Sequence, residues 1–319
     1  MIDKDENIII VGSQNSNTND RFLERSNIKS VQYFDKNKSF EEISFFSKQG
    51  ELGISSICWK PSEPLIWFYT TGTEIIRLNL DTKESRELPI DHLKDIHEIS
   101  IIDGFLWISN TCYDELVCVD LESELVKERF QLGGGNIQIE NGKKNKYHSN
   151  QVFSTYDGEL TALVHHVNGE QLFNRVAQKL IKSQGNGGVL FLKSGKTIRL
   201  QLKAPHSVRK VNGQYWIFDS GHAQLNVYSK EWKLIKEMSM AGWGRGGDFS
   251  DSKQLYYAGV SAKRKRYLAF NEENKQQNML QIFNYNFELK AEYLVPNIEQ
   301  INNVYLISAN QLELIRKLG

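Results

Sequence analysis

Three histidines carry the clearest chemical signal in this sequence. His97, His148 and His206 each lie among the first residues of a predicted strand, in three successive copies of one repeat. Imidazole is the commonest metal-ligating side chain, and three imidazoles with one open position are typical of a catalytic metal site. The spacing therefore predicts that the three share one divalent ion, with zinc, iron, manganese and calcium left open. The alternative is a wet channel whose histidines bond to water and backbone.

Three further side chains are candidates for the chemistry at such a site. Arg245 follows a glycine-rich stretch and could hold a carboxylate, sulfate or phosphate through two parallel hydrogen bonds. A structural ion pair with a channel carboxylate is the alternative for this arginine. Tyr147 and Asp248 neighbour the predicted site in sequence and are the candidates for moving a proton. The predicted catalytic set is therefore Tyr147, Arg245 and Asp248.

Other polar residues near strand ends have weaker claims to a role. His165 and His166 are adjacent, so on a strand they point to opposite faces, and at most one can join a site with His148. Asn110 and Asp219 stand where predicted strands end. The favoured interpretation is that these two cap turns through side-chain bonds to the backbone, rather than rim the mouth of a channel.

The stretch from Pro205 to Met240 shows which elements must position these residues. Asn212-Gly213 is a tight-turn dipeptide, and Tyr215 to Phe218 has the aromatic and β-branched composition of a buried strand. Two more short strands follow before Met240. Four strands joined by tight turns form one antiparallel sheet with two exposed faces, which cannot be stable alone.

The same pattern recurs along the chain at irregular intervals, near the ~40–50 residues that one propeller blade needs. It predicts an all-β fold, a single β-propeller domain over residues 1–319 with six four-stranded blades. Three strands, Asn7–Val11, Lys29–Phe34 and Phe40–Phe46, precede the blade that begins near Gly53, and Ile298–Ile307 is left over at the other end. Pairing these would close the ring. Seven blades stay open because Leu172–Ile181 is irregular.

Each repeat also places an aromatic residue in its second strand. Trp67, Trp107 and Trp216 occupy this position, where side chains pack between neighbouring sheets. They are predicted to be core residues and not platforms for a ligand.

Composition narrows the functional classes. The chain of 319 residues is 40% hydrophobic and has a formal net charge of zero, which disfavours nucleic acid or an anionic membrane as partner. Met1–Asn7 is too polar for a signal peptide and no stretch is long enough to span a bilayer, so a cytoplasmic location is expected. Neither Gly133–Gly135 nor Gly242–Gly247 has the context of a phosphate-binding fingerprint, and no nucleotide cofactor is expected. The oligomeric state stays open.

The segment around the third histidine carries a family resemblance. Pro205-His206-Ser207-Val-Arg209, followed by Trp216-Ile-Phe-Asp219-Ser220-Gly221, resembles an uncharacterised bacterial β-propeller family with a domain of unknown function. The likeness is best over Asp95 to Ser261. More distantly the chain is similar to the strictosidine synthase and gluconolactonase propellers, and this resemblance implies a channel metal. The carboxylate and Asn ligands of that wider group do not map onto this sequence.

Two functions follow as expectations. The first is a metal-assisted lyase or hydrolase that acts on a small anionic or glycan-related substrate in the channel. The second is a noncatalytic binding or scaffold module whose channel mouth takes a glycan or a protein partner.

Overall fold

The fold is known from a computed structural model that describes residues 7–35, 38–133, 145–169, 185–263 and 277–318. Within these ranges, 24 strands form six four-stranded antiparallel sheets. The predicted β-propeller with six four-stranded blades is therefore confirmed. The segment Leu172–Ile181, on which a seventh blade depended, lies outside the described residues.

The strands alternate in direction along the chain, and most neighbours are joined by short turns. Their bounds are β1 (Asn7–Ser13), β2 (Val31–Phe34), β3 (Phe40–Glu42), β4 (Ser56–Lys60), β5 (Glu63–Thr70), β6 (Ile75–Asn79), β7 (Ser85–Glu87), β8 (Ile96–Ile102), β9 (Phe105–Asn110), β10 (Glu115–Asp120), β11 (Val126–Gln131), β12 (Ser149–Ser154), β13 (Leu160–Val164), β14 (Gly187–Phe191), β15 (Thr197–Leu202), β16 (Pro205–Val211), β17 (Gln214–Asp219), β18 (Gln224–Tyr228), β19 (Leu234–Ser239), β20 (Trp243–Ser250), β21 (Leu255–Ser261), β22 (Met279–Asn284), β23 (Leu289–Leu294) and β24 (Gln300–Ile307).

The first blade is built from both ends of the chain, as the sequence predicts. Its strand order is β24-β1-β2-β3, and the register runs from Asn7 opposite Ile307 to Ser13 opposite Gln300. The other five blades each use four consecutive strands, β4–β7, β8–β11, β12–β15, β16–β19 and β20–β23. Since β1 has a partner on each side, the first blade has no open edge at this strand.

A short helix, α1 (Ala309–Arg316), follows the closing strand. Ser308 caps it, and the side chains of Ser308 and Gln311 form a reciprocal capping box. Ile315 on this helix is fully buried in the cluster between the first two blades. The helix thereby fastens the closing strand to the ring.

The hydrophobic core is divided into six clusters, one at each interface between neighbouring blades. Trp67, Trp107 and Trp216 lie in three of these clusters and are 0%, 5% and 1% exposed. The prediction that they are core residues is confirmed. No blade has a core of its own, because each sheet buries its faces only against the next blade.

Two further observations bear on the setting of the chain. Among the described residues, no helix is both long enough and apolar enough to cross a membrane. Cys112 and Cys118 are buried, Cys58 is partly buried, and none of these three cysteines forms a disulfide.

The innermost strands, β4, β8, β12, β16, β20 and β24, surround the axis and contact their neighbours in the ring. Five of these six described strands carry a β-bulge near their first residues. The extra residue is Asn150 in β12, Ser207 in β16, Arg245 in β20 and Asn302 in β24, while in β8 the pair His97-Glu98 lies opposite Ser109 alone. A bulge re-aims the side chain of the inserted residue. These bulges lie at one end of the channel.

Candidate functional site

A pocket of about 500 Å³ opens at this end of the axis. The bulged residues of all five strands contribute to its wall. Other polar residues on the wall come from the segments that enter the innermost strands, and they include Lys94, Asp95, Asn145 and Gln300. The pocket is therefore lined by the irregular ends of strands and not by their regular parts.

Four imidazoles meet beside this pocket, and three of them, those of His97, His148 and His206, line it. The ring centroids of His97 and His148 are 4.9 Å apart, and those of His97 and His206 are 6.0 Å apart. His165 is the fourth member, with its centroid 4.1 Å from that of His148 and 5.5 Å from that of His206. Only one of the adjacent pair His165-His166 was expected to join His148, and the structure brings His165 there.

The three histidines singled out in the sequence do not share one position of the repeat. His97 and His206 are each the second residue of their strand, whereas His148 directly precedes β12. His148 has a left-handed φ of 51°, like the residues that precede β8 and β16, Asp95 at 56° and Ala204 at 50°. The side chain of His148 thus enters the cluster from a turn, and those of His97 and His206 from strands.

His206 is fixed from behind by the turn after β17. Its Nδ1 lies 2.9 Å from the backbone oxygen of Ala204 and 2.9 Å from the hydroxyl oxygen of Ser220. A carbonyl only accepts, so Nδ1 carries the proton in the neutral ring, and Nε2 keeps the lone pair. Ser220 in turn donates to the backbone oxygen of Gly244 in the next blade.

A buried carboxylate positions His148. Asp114, 2% exposed, accepts hydrogen bonds from the backbone amides of Lys146 at 2.5 Å, Tyr147 at 2.9 Å and His148 at 3.1 Å. The Nδ1 of His148 also lies 2.8 Å from the side-chain oxygen of Asn145. The sequence offered no sign of this role for Asp114, because the contact joins segments more than thirty residues apart.

Two titratable groups, His165 and Asp95, set the electrostatics of the imidazole cluster. Burial lowers the pKa of His165 well below its ordinary value, and the neighbouring rings of His148 and His206 lower it further, so His165 is neutral. Enclosure in the pocket wall acts to raise the pKa of Asp95, but the contact with His97 at 3.6 Å, together with the charges of His148 and Arg245, holds it below its usual range. Asp95 is therefore a carboxylate.

Arg245 reaches the pocket from the bulge in β20. Its Nη1 donates to the side-chain oxygen of Asn302 at 2.7 Å. Asn302 is itself held by bonds from its Nδ2 to the hydroxyl of Ser13 at 2.9 Å and to the backbone oxygen of Ile54 at 2.8 Å. The guanidinium is thus oriented by an amide that segments of the first and second blades hold in place.

An ion pair lies deeper along the axis. Arg209 donates from Nη1 to Glu98 at 2.8 Å, from Nε to the backbone oxygen of Gly247 at 2.7 Å and from Nη2 to Asn303 at 3.2 Å. Burial acts to lower the pKa of Arg209, but the adjacent Glu98 raises it above its ordinary value. Glu98 and Asn303 line the pocket, so this network forms its floor.

Two of the predicted catalytic residues lie outside the pocket lining. Tyr147 packs against the cluster that contains Trp107, and a methyl group on Gly133 would lie only 2.5 Å from its hydroxyl oxygen. Asp248 accepts hydrogen bonds from the backbone amides of Leu306 at 2.8 Å and Phe249 at 2.9 Å, below the bulge that carries Arg245. Of the predicted catalytic set, Arg245 lines the pocket.

Asn110 and Asp219 accept bonds from the backbone, as the favoured interpretation predicts, but neither side chain caps the 3₁₀ turn that it precedes. Each accepts a hydrogen bond at 2.8 Å from a backbone amide sixteen residues earlier, that of Lys94 and that of Lys203. The hydroxyl residues that follow, Thr111 and Ser220, donate to backbone oxygens of the next blade. This part of the Trp-x-x-Asp-Ser-Gly motif is therefore a clamp between blades.

No group of three or more His, Cys, Asp or Glu side chains in the described ranges is arranged so that it could hold a metal ion. The predicted role of His97, His148 and His206 as metal ligands stays a prediction.

Comparison with known proteins supports the fold. No family model matches the chain, and no curated protein matches it, so membership of the bacterial family named above stays a prediction. Among solved structures, the chain is similar to one from the nidogen/laminin complex, with 8% identity over 95% of this chain and 98% of that chain and a TM-score of 0.59.

Two other similar structures have been solved. A protein of unknown function from Bacteroides caccae matches with 10% identity over 95% of this chain and 98% of that chain, and a TM-score of 0.57. A virginiamycin B lyase from Staphylococcus aureus matches with 11% identity over 76% of this chain and 70% of that chain, and a TM-score of 0.48. At these identities the likenesses concern the fold alone.

Proposed function

We propose that the protein is a lyase or hydrolase that acts on a small anionic or glycan-related substrate in the axial pocket. The observation that carries this proposal is the convergence of three imidazoles, those of His97, His148 and His206, and of Arg245 on one concave, polar site of about 500 Å³. Concave pockets with a few convergent polar groups and perturbed pKa values are where active sites are usually found.

Arg245 binds the anionic group of the substrate in this proposal. A planar guanidinium presents five N–H donors in a fork that matches a carboxylate, sulfate or phosphate. The hydrogen bond from Nη1 to Asn302 fixes the plane of the fork. A substrate anchored there extends toward the imidazole cluster, since Arg245, His148 and His206 line one pocket.

The imidazoles supply the acid and the base. His206 lines the pocket and keeps the lone pair on Nε2, so its ring serves as the base in this proposal. The Asp95 carboxylate beside His97 stabilises a positive charge on that ring and suits it to donate a proton. The two imidazoles, His206 and His97, lie in contrasting surroundings. They can thus serve proton removal and leaving-group protonation.

The predicted metal ligands have a place in the same proposal. The ring centroid of His97 lies 4.9 Å from the ring centroid of His148 and 6.0 Å from that of His206. Two imidazoles bound to one ion at ~2.0–2.1 Å have centroids no more than about 6.4 Å apart. The rings of His97, His148 and His206 would have to reorient to serve as ligands. A divalent ion there would supply Lewis acidity toward a carbonyl or carboxylate of the substrate.

The proposal is tested by screening small carboxylates, sulfated sugars and phosphorylated sugars for a rise in melting temperature. Compounds that stabilise the wild type are then incubated with it, and new products are sought by mass spectrometry. Arg245→Gln should abolish the stabilisation, whereas Arg199→Gln, at an exposed arginine on β15, should leave it unchanged.

Three results would argue against this function. If no anionic compound stabilises the protein, or if Arg245→Gln responds like the wild type, the anion-binding role fails. If compounds bind but no product forms, the noncatalytic binding module takes the place of the enzyme.

A further inference from the structure

We infer that Asn150 and Ser207 form a subsite for hydroxyl groups, so that the ligand of the axial pocket is an anion that also carries hydroxyls. The inference rests on the proposed function for the anionic group at Arg245, and it adds the residues that select the rest of the ligand. Asn150 and Ser207 are the extra residues of the bulges in β12 and β16, and both line the pocket. These two innermost strands contact each other in the ring.

Each of these two residues has a polar atom without a hydrogen-bond partner. The Oδ1 of Asn150 and the Oγ of Ser207 are buried, and no residue that the structure describes bonds to either of them. Buried polar atoms nearly always have a partner in folded proteins, and an exception indicates a water, an ion or a ligand group at that place. The pocket wall therefore offers two hydrogen-bonding positions that the described residues do not use.

The chemistry of the two atoms specifies their partner. The Nδ2 of Asn150 donates to the backbone oxygen of Pro205, which fixes the orientation of the amide and leaves Oδ1 over. This oxygen only accepts hydrogen bonds, whereas the hydroxyl of Ser207 both donates and accepts. An ionised carboxylate or sulfate has no proton to give to Oδ1, but a ligand hydroxyl suits both atoms. The anionic group thus belongs at Arg245 and the hydroxyls at this subsite.

The backbone holds Ser207 in a conformation that serine rarely adopts. Its φ is 44°, in the left-handed region, which glycine enters without strain. The bulge between His206 and Val208 places Ser207 there and takes it out of the regular alternation of the strand. Residues in such strained conformations cluster at active sites and ligand clamps. The serine side chain is thus present at a cost in stability that glycine would avoid.

The rest of the lining matches a hydroxylated ligand. Within the described ranges, six of the lining residues carry a hydroxyl and six a side-chain amide, and none is Phe, Tyr or Trp. Hydroxyls and amides exchange hydrogen bonds with a polyol, whereas a flat apolar ligand gains most from aromatic rings. Asn150 and Ser207 are 2% and 1% exposed. Only a group as small as a hydroxyl therefore reaches their polar atoms, after a small movement of the wall.

The test compares ligands that share a carbon skeleton and a carboxylate but differ in hydroxyls. Quinate is paired with cyclohexanecarboxylate and glycerate with propionate, and their dissociation constants for the full-length chain are measured by NMR titration. At least one hydroxylated acid should bind about tenfold more tightly than its counterpart, since each neutral hydrogen bond changes affinity by about 2–10-fold. Arg245→Gln should weaken both members of a pair alike, because it acts on the carboxylate that they share.

Ser207→Ala should weaken binding of the hydroxylated acid by about 2–10-fold and leave that of its counterpart unchanged. It should not lower the melting temperature, because the hydroxyl that it removes has no bond to a described residue. Ser109→Ala is the matched control: the Oγ of Ser109 is also buried without a described partner, but Ser109 lies outside the pocket lining. This control should bind both acids like the wild type. Ser207→Gly is a second variant, which removes the hydroxyl and suits the left-handed backbone.

The outcomes separate the subsite from the proposed function. If the wild type binds both members of each pair equally, or if both Ser207 variants keep the preference, the subsite is wrong and the role of Arg245 stands. If no carboxylate binds, the role of Arg245 fails, and myo-inositol and glycerol decide the subsite as neutral probes. Binding of either that Ser207→Gly weakens supports the subsite, and no binding overturns it. If the acids bind with the expected preference but no product forms, the subsite belongs to a noncatalytic binding module.

A crystal structure with the tighter hydroxylated acid distinguishes a ligand site from a site for structural water. A ligand hydroxyl within about 3.2 Å of the Oγ of Ser207 or the Oδ1 of Asn150 supports the inference. Water molecules alone at both atoms, with the acid bound elsewhere in the pocket, overturn it.

Discussion

Glu98 and Arg209 meet across the channel, with 2.8 Å between Oε1 and Nη1, although β8 and β16 belong to blades that are not neighbours in the ring. Their side chains are 12% and 14% exposed. The pair thus links two parts of the inner wall that are one blade apart. A charge in such a setting is stable only while its partner is present.

Replacing Glu98 by alanine should therefore destabilise the fold. The guanidinium of Arg209 would stay buried without its counter-charge, which typically costs ~3–5 kcal/mol. The free energy of unfolding from urea denaturation measures this loss. Glu313→Ala is the control, because its partner Lys317 and Glu313 itself are well exposed, and such pairs contribute ~0–1 kcal/mol. Equal effects of the two substitutions would contradict the role of the axial pair.

Asp114→Asn should lower stability and disturb His148. The change keeps the shape of the side chain but replaces one accepting oxygen by a donor, which faces backbone amides that also donate. The expected loss is ~1–3 kcal/mol of unfolding free energy, with weaker binding of anions in the pocket. Asparagine tolerates the left-handed backbone at this position, so strain adds little.

The control for Asp114 is Asp120→Asn. Asp120 also accepts backbone hydrogen bonds, from Glu122 and Ser123 at 2.9 Å, but in an exposed turn. The Asp120→Asn substitution should change the free energy of unfolding and the binding of ligands in the pocket only slightly. If Asp114→Asn matched this control, the carboxylate would not be what holds His148.

Alkaline pH should destabilise the protein through Tyr69. Burial, followed by the charge of Glu74, raises the pKa of Tyr69 to about 12, whereas the unfolded chain titrates near 10. Below pH 10 the phenol is neutral in both states and its contribution is complete. As pH rises from about 10 to about 12, the unfolded state loses the proton first, and stability falls by up to about 3 kcal/mol.

Urea denaturation at several pH values between 9 and 12 tests this dependence. Tyr69→Phe should flatten the slope, while Tyr113→Phe, at a partly exposed ring, should not. A slope that is the same in the Tyr69 variant and the wild type would contradict the prediction.

Deleting residues 302–319 should greatly lower stability. The deletion removes most of β24, which lines the axis and pairs with β1 along its length. A chain that ends at Arg316 keeps β24 and α1 and serves as the control. A 302–319 deletion that melts within a few degrees of the control would show that the ring does not depend on this closure.

The sequence predicted the fold well because its signals are local. Aromatic and β-branched runs between tight turns identify strands one by one, and the unmatched strand Ile298–Ile307 had only one place to pair. The third strand is shorter than predicted: the strand predicted over Phe40–Phe46 ends at Glu42, and a 3₁₀ turn over Ser44–Phe46 follows. Phe46 is thereby buried between the first two blades.

The candidate site was less accessible to sequence reasoning. His97 and His206 open their strands, so a repeat pattern could find them, but His148 enters from a turn and His165 from a second strand. The bulge that points Arg245 into the pocket has no distinct local signature. Tyr147 directly precedes His148, and adjacent side chains point in different directions, so closeness in sequence did not bring it into the pocket.

The way in which the ring closes has a consequence for biosynthesis. Five blades consist of consecutive strands and can form while the ribosome is still adding residues, but β1 must wait for β24. Until then the run Asn7-Ile-Ile-Ile-Val11 presents an apolar strand with an unpaired edge, the kind of surface that draws other nascent chains into aggregates. Of the described strands, β1 is thus the first to emerge and the last to be secured, and a chaperone that shields extended apolar segments would act on it until β24 is made.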